Sequence, residues 1–149
     1  MTPATAGYDA DLDGLPTWHE LMDAFGGWAG SSGHPVARCA CGLARLHRKR
    51  CTGHRRSTVD ERRAALITAI DAWASTHVRR TAQAEESLGA YVDRMAAASA
   101  MAVTVLRTCA PGGEAVHGAW CRLAALADGW TDITIAVVAP YRQTSQDRT

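Results

Sequence analysis

The chain has no long apolar run. Its longest apolar-leaning stretch, Met95 to Leu106, covers 12 residues and is broken by Ser99 and Thr104, well short of the ~18 to 20 residues a membrane helix needs. A secretory start is missing too, since Met1 to Asp13 carries Asp9, Asp11 and Asp13 and no basic residue. The expected location is therefore cytoplasmic, with no membrane partner. No charge of one sign dominates: 16 basic residues against 15 acidic leave +1, which removes any whole-molecule case for polyanion binding. Cysteine is present but odd in number, at 39, 41, 51, 109 and 121, so reduced thiols are expected rather than a disulfide framework. Gly-x-Ser-x-Gly, a phosphate-binding loop and a dinucleotide fingerprint are all absent, so no cofactor is expected.

What the 149 residues do hold is alanine, at 29 positions, and arginine, which supplies every base except Lys49. Both are good helix formers. Apolar residues recur at helical spacing in five segments. Thr17 or Pro16 opens a short helix through Trp18, Leu21, Met22 and Phe25, stopped by Gly26-Gly27. His34-Pro35 opens a second that runs to Gly53, with Val36, Ala40, Leu43, His47 and Cys51 on one stripe. Thr58-Val59-Asp60-Glu61 matches a capping box for a third, with Leu66, Ile67, Ile70, Trp73, Ala74 and His77 as its core face. Leu88, Tyr91, Val92, Met95, Ser99, Ala102 and Leu106 define a fourth, ended by Pro111-Gly112-Gly113. Val116, Trp120, Leu123, Ala127, Trp130, Ile133 and Val137 define a fifth, closed at Pro140. The expected fold is all-α: an antiparallel bundle of four long helices plus a short N-terminal helix. Residues 1–14 form a flexible acidic lead-in, 15–140 a single domain and 141–149 a polar tail.

Three sets of residues could carry chemistry. His47, Cys51 and His54 fall at i, i+4 and i+7 and share a helix face that zinc could use. Cys39 and Cys41, however, point about 160° apart, and no paired Cys-x-x-Cys supports them. The simpler reading makes Cys51 a small core residue and His47 a hydrogen-bonded imidazole, so no metal ligand is assigned. The second set is basic: Arg38, Arg45, Arg48, Lys49, Arg50, Arg55 and Arg56 lie in a segment without an acid. That segment is +7, while the rest of the chain, nine bases against fifteen acids, is −6. The third set is acidic. Asp71 lies beside the core stripe of the third helix, Glu86 and Asp93 stand at i, i+7 in the fourth, and Asp128 and Asp132 at i, i+4 in the fifth. The Glu86 and Asp93 side is otherwise Gly89, Ala97 and Ala100, small residues that permit close helix approach and make Asp93 a candidate interhelical ion-pair partner. Trp73, Trp120 and Trp130 all fall on core stripes, while Trp18 and Trp28 lie near the N-terminal loop.

Leu46-His47-x-x-Arg50, Arg62 to Ile70-Asp71-x-Trp73, Glu86-Ser87-Leu88-Gly89-x-x-Val92-Asp93-Arg94-Met95-Ala96, and Trp120-x-x-Leu123-x-x-Leu126 with Trp130-x-Asp132 together resemble the actinobacterial branch of domain-of-unknown-function family 4254. The resemblance covers about Pro35 to Asp132 and is most specific over Glu86 to Ala96. It departs at Trp130, where that family usually has Tyr, and in the tail. It implies an all-helical fold and no mechanism. It also marks His47, Arg50, Asp71, Glu86, Asp93, Arg94 and Asp132 as motif positions, expected to converge as a polar network between helices.

The expectation is a binding or regulatory module acting through self-association, such as a dimer, or a protein partner, with the basic second helix as its surface. The alternative is a small helical enzyme or metal-binding bundle using His47, Asp71, Glu86 and Asp93. A second alternative, less favoured, is nucleic-acid binding through the basic helix Arg38 to Arg56, with Arg45, Arg48, Lys49, Arg50, Arg55 and Arg56 as its patch.

Overall fold

A computed structural model describes residues 14–27, 33–51, 55–79 and 85–146, with the backbone alone at 51 and 138–146. The acidic lead-in up to Asp13, Trp28, the loop from Gly30 to Ser32, His54 and the side chain of Cys51 lie outside the described residues. The rest forms five helices: α1 (Trp18–Phe25), α2 (Pro35–Cys51), α3 (Arg56–His77), α4 (Leu88–Thr108) and α5 (Glu114–Gln146). Among the described residues there is no strand. The protein is an all-α helical bundle.

Side-chain chemistry at the helix ends explains the boundaries, with two corrections. The capping box stands at α1, not α3: Thr17 Oγ1 accepts from the Glu20 N–H, and a Glu20 carboxylate oxygen accepts from the Thr17 N–H. At α3 the helix starts upstream at Arg56, with Arg55 as a cap that makes no side-chain hydrogen bond. Thr58 and Glu61 thus lie inside the helix, where Thr58 is a first-turn residue and not the N-cap that a capping box requires. The second correction concerns α5, which continues through Pro140 to Gln146. The expected polar tail is helical over 141–146. His34 caps α2 from outside: its Nδ1 accepts from the Val36 N–H at 3.1 Å and its Nε2 lies 2.7 Å from the Gly14 carbonyl. An acceptor at Nδ1 and a donor at Nε2 fix one neutral tautomer. Arg48 closes α1 in turn, donating from Nη1 to the Phe25 carbonyl at 2.8 Å and supplying the cation that the last turn of α1 lacks.

Printed contacts set the directions. His34 meets Trp73 and Gly42 meets Leu66, so α2 and α3 are antiparallel. Arg63 meets Asp93 and Asp71 meets Gly89, which makes α3 and α4 antiparallel. Tyr91 meets Leu126 while Ala102 packs with Ala119, so α4 and α5 are antiparallel as well. α2, α3 and α4 each touch the other two, whereas α5 packs on α4 and α1 only. The short α1 is the wedge that links α5 to α2. α4 sits at the centre and is buried on two faces: Leu88, Val92 and Met95 on one, and Gly89, Asp93, Ala96 and Ala100 on the other. That second face is built of small residues because α3 comes very close. A Cβ on Gly89 would collide with the Ile67 carbonyl oxygen.

The core gathers Leu21 and Phe25 from α1, Val36, Ala40 and Leu43 from α2, Ile70 from α3, Val92 and Met95 from α4, and Trp130 from α5. Trp130 is fully buried and donates from Nε1 to the Pro16 carbonyl at 2.8 Å. Tyr91 donates its hydroxyl to the Leu126 carbonyl at 2.7 Å. Trp120, expected in the core, is instead 44% exposed, and Leu106 is 46% exposed. His77 and Cys121 also face solvent.

Candidate functional site

The buried polar centre lies where α2, α3 and α4 meet. Asp93 projects from the small-residue face of α4, where no bulky neighbour holds the other helices away. His47 Nε2 donates to Asp93 Oδ1 at 2.8 Å, and Arg63 Nε donates to Oδ2 at 3.0 Å, with the Arg63 Nη2 2.9 Å from the same oxygen in an ion pair. Both carboxylate oxygens are therefore engaged, one by each neighbouring helix. Burial alone would push the Asp93 carboxyl up, but the hydrogen bonds and charges of His47 and Arg63 outweigh it and hold the group below the usual carboxylate range. No buried side-chain polar atom among the described residues lacks a partner.

The seven motif positions do not converge on this centre. Of them only His47 and Asp93 belong to it. Asp71 stands one turn of α4 away, where its Oδ1 accepts from the Gly89 N–H at 2.7 Å. With Ser87 Oγ accepting from Ala90 N–H, it gives the α4 N-terminus two caps and a favourable negative charge. Glu86 precedes the Ser87 cap, so it lies outside α4, and pairs with Arg94 at 2.7 Å near the surface. Arg94 also lies over the Tyr91 ring. Arg50 and Asp132 are exposed. The proposed set His47, Asp71, Glu86 and Asp93 thus divides into a buried hydrogen-bonded pair, a helix cap and one half of a surface pair. Arg63 was missing from the sequence-derived set although it sits seven residues before Ile70 and three before Leu66, on the core stripe of α3. A cation on an apolar stripe is the signal that marks it. Among the described residues no three His, Cys, Asp or Glu side chains are grouped to hold a metal ion.

The outer surface offers more. His47 opposite Asp93, with α2 and α4 running the same way, sets Cys51 level with Ala97. Arg63 opposite Asp93, with α3 running the other way, sets Arg56 level with Ala100. Past that level α4 and α5 continue against each other, with Met22 of α1 packed on Ala102, Ala119 and Leu123, and one stripe of α4 opens to solvent: Val92 and Met95 are buried, Val103 is 40% exposed and Leu106 nearly half. Val103 and Leu106 prolong the Val92, Met95, Ser99 stripe, and Trp120 prolongs the Leu123, Ala127 stripe of α5. The core face runs on after its covering helices have ended. At the same level stand the exposed Arg50 of α2 and the exposed Arg55 and Arg56 at the start of α3. Arg45 and Lys49 are exposed on α2, while Arg48 is engaged with α1.

Family models, curated proteins and solved structures all yield no match to this chain. No helix among the described residues is long and apolar enough to cross a membrane.

Proposed function

We propose that the protein is a helical interaction module that docks an acidic, amphipathic segment of a partner protein on the tip of the α4–α5 hairpin. The observation that carries this reading is the exposure of Val103, Leu106 and Trp120 on the prolonged core stripes, toward the hairpin tip from the level at which the exposed Arg50, Arg55 and Arg56 stand. Apolar side chains in a row supply the contact area, and basic side chains beside them select the charge of what binds. By contrast the His47, Asp93 and Arg63 centre is internally satisfied, which suits a strut between helices better than a reacting site.

Trp120 fluorescence provides the test. A synthetic helix with leucine at i, i+3, i+4 and i+7 and glutamate on its remaining face is titrated against a lysine counterpart. The acidic peptide is expected to bind and shift the emission, and the basic one is not. Leu106→Ser is expected to abolish binding, and Arg50→Glu with Arg56→Glu to weaken it. Equal binding of both peptides, or binding unaffected by Leu106→Ser, overturns the reading. Salt-sensitive binding of DNA or RNA in place of the peptide, lost on replacing Arg50 and Arg56, would transfer the surface to nucleic acid.

A further inference from the structure

The outer face of α5 carries a pair that the bundle leaves unused. Cys121 Sγ lies 3.4 Å from His117 Nε2, both side chains are exposed, and they stand at i and i+4 on one face of a helix that packs only on α4 and α1. Sulfur and nitrogen bound to one tetrahedral zinc, at the usual Zn–S and Zn–N lengths, are about 3.6 Å apart. The pair is therefore already set at the spacing that a shared cation imposes. It is also short of ligands, because one pair fills two of four positions. No third His, Cys, Asp or Glu among the described residues is near enough to help.

A second copy of the chain can supply exactly what is missing. Two α5 helices laid antiparallel about a two-fold axis level with Ala119 bring His117 of each opposite Cys121 of the other, because positions 117 and 121 are equidistant from 119. Gly118, Ala124 and Ala125 are exposed beside the pair, and a Cβ at Gly118 would meet nothing, so the second helix can approach closely. We infer that His117 and Cys121 form half of a two-cysteine, two-histidine site for a zinc-class divalent cation, completed by the same two residues of a second copy. Each thiol gives up its proton to solvent as sulfur becomes a ligand, and each imidazole binds neutral through Nε2. The metal ligands share no residue with the docking set Val103, Leu106 and Trp120, so either reading can fail alone.

The experiment is sedimentation of the full chain with a phosphine reductant present throughout, with and without added Zn²⁺, with metal content measured on the separated species. Co²⁺ serves as a spectroscopic substitute. The expected result is a doubling of mass on adding Zn²⁺, one metal per two chains, reversal by a chelator, and a thiolate-to-cobalt charge-transfer band. His117→Ala and Cys121→Ser are each expected to abolish the doubling with helicity intact, and Cys109→Ser to leave it. Cys121→His is expected to keep the metal-dependent doubling but lose the charge-transfer band. A chain that stays monomeric with Zn²⁺, one metal per monomer, or a dimer indifferent to Cys121→Ser overturns the proposal. So does a dimer that forms only without reductant, which would be a disulfide.

Discussion

Replacing Asp93 with alanine removes the one acceptor that ties α2, α3 and α4 together. Stranding a buried hydrogen-bond donor costs about 1–3 kcal/mol when it cannot reach water, and more if it is charged. Here the two partners differ: the Arg63 side chain is 34% exposed and can turn outward, whereas His47 is 10% exposed and cannot. The loss expected at neutral pH is therefore about 2–3 kcal/mol, or about 5–10 °C in melting temperature for a chain of this size. Urea denaturation followed by circular dichroism measures it. The sign with pH is fixed by the lowered Asp93 pKa. Between the folded-state value and the unfolded value of about 3.9, the unfolded chain binds more protons than the folded one. The stabilisation is thus complete above the unfolded value and is lost as pH falls through the folded one. The gap between wild type and Asp93→Ala should accordingly narrow on acidification. A double-mutant cycle with His47→Ala should show coupling of about 1–2 kcal/mol. A loss under about 1 kcal/mol, or a gap unchanged across the acid range, would refute the view that Asp93 is a charged strut.

Other substitutions test the packing. Gly89→Ala places a Cβ against the Ile67 backbone and should destabilise by about 1–3 kcal/mol, seen as a lower urea midpoint with unchanged m-value. Asp71→Ala removes one of the two caps of α4 and should cost about 1 kcal/mol, with faster amide exchange at Gly89 as its local signature. Trp130→Phe leaves the Pro16 carbonyl without its donor and should cost about 1–3 kcal/mol, detected by thermal melting.

Five helices in order were legible in the sequence because periodicity and glycine or proline breaks are local. Asp93 was legible as an interhelical partner from its small neighbours Gly89, Ala97 and Ala100. What escaped were properties that depend on where another helix stops. Leu106 and Trp120 occupy apolar stripe positions as regular as those of Met95 and Leu123, yet α2 ends level with Ala97 and no helix among the described residues buries them. The Thr58 capping box failed because Arg56 is already helical, which puts the N-cap at Arg55 and Thr58 inside the first turn. The expected convergence of seven polar residues rested on motif positions, which say that residues matter locally and not that they meet. Glu86 and Asp93 share a face only if α4 begins before Ser87, and it does not.

The hydrogen bond from Trp130 to Pro16 spans 114 residues of sequence, and this has a temporal meaning. A chain emerging from the ribosome presents α1 first and α5 last, so the buried face of α1 must wait for most of synthesis before its tryptophan arrives. During that interval Leu21 and Phe25 can pack on α2 and α4, but the seam beside Pro16 stays open. Closure of that seam is a long-range event that follows synthesis of α5, so a chain truncated before Trp130 lacks the contact that joins its first helix to its last.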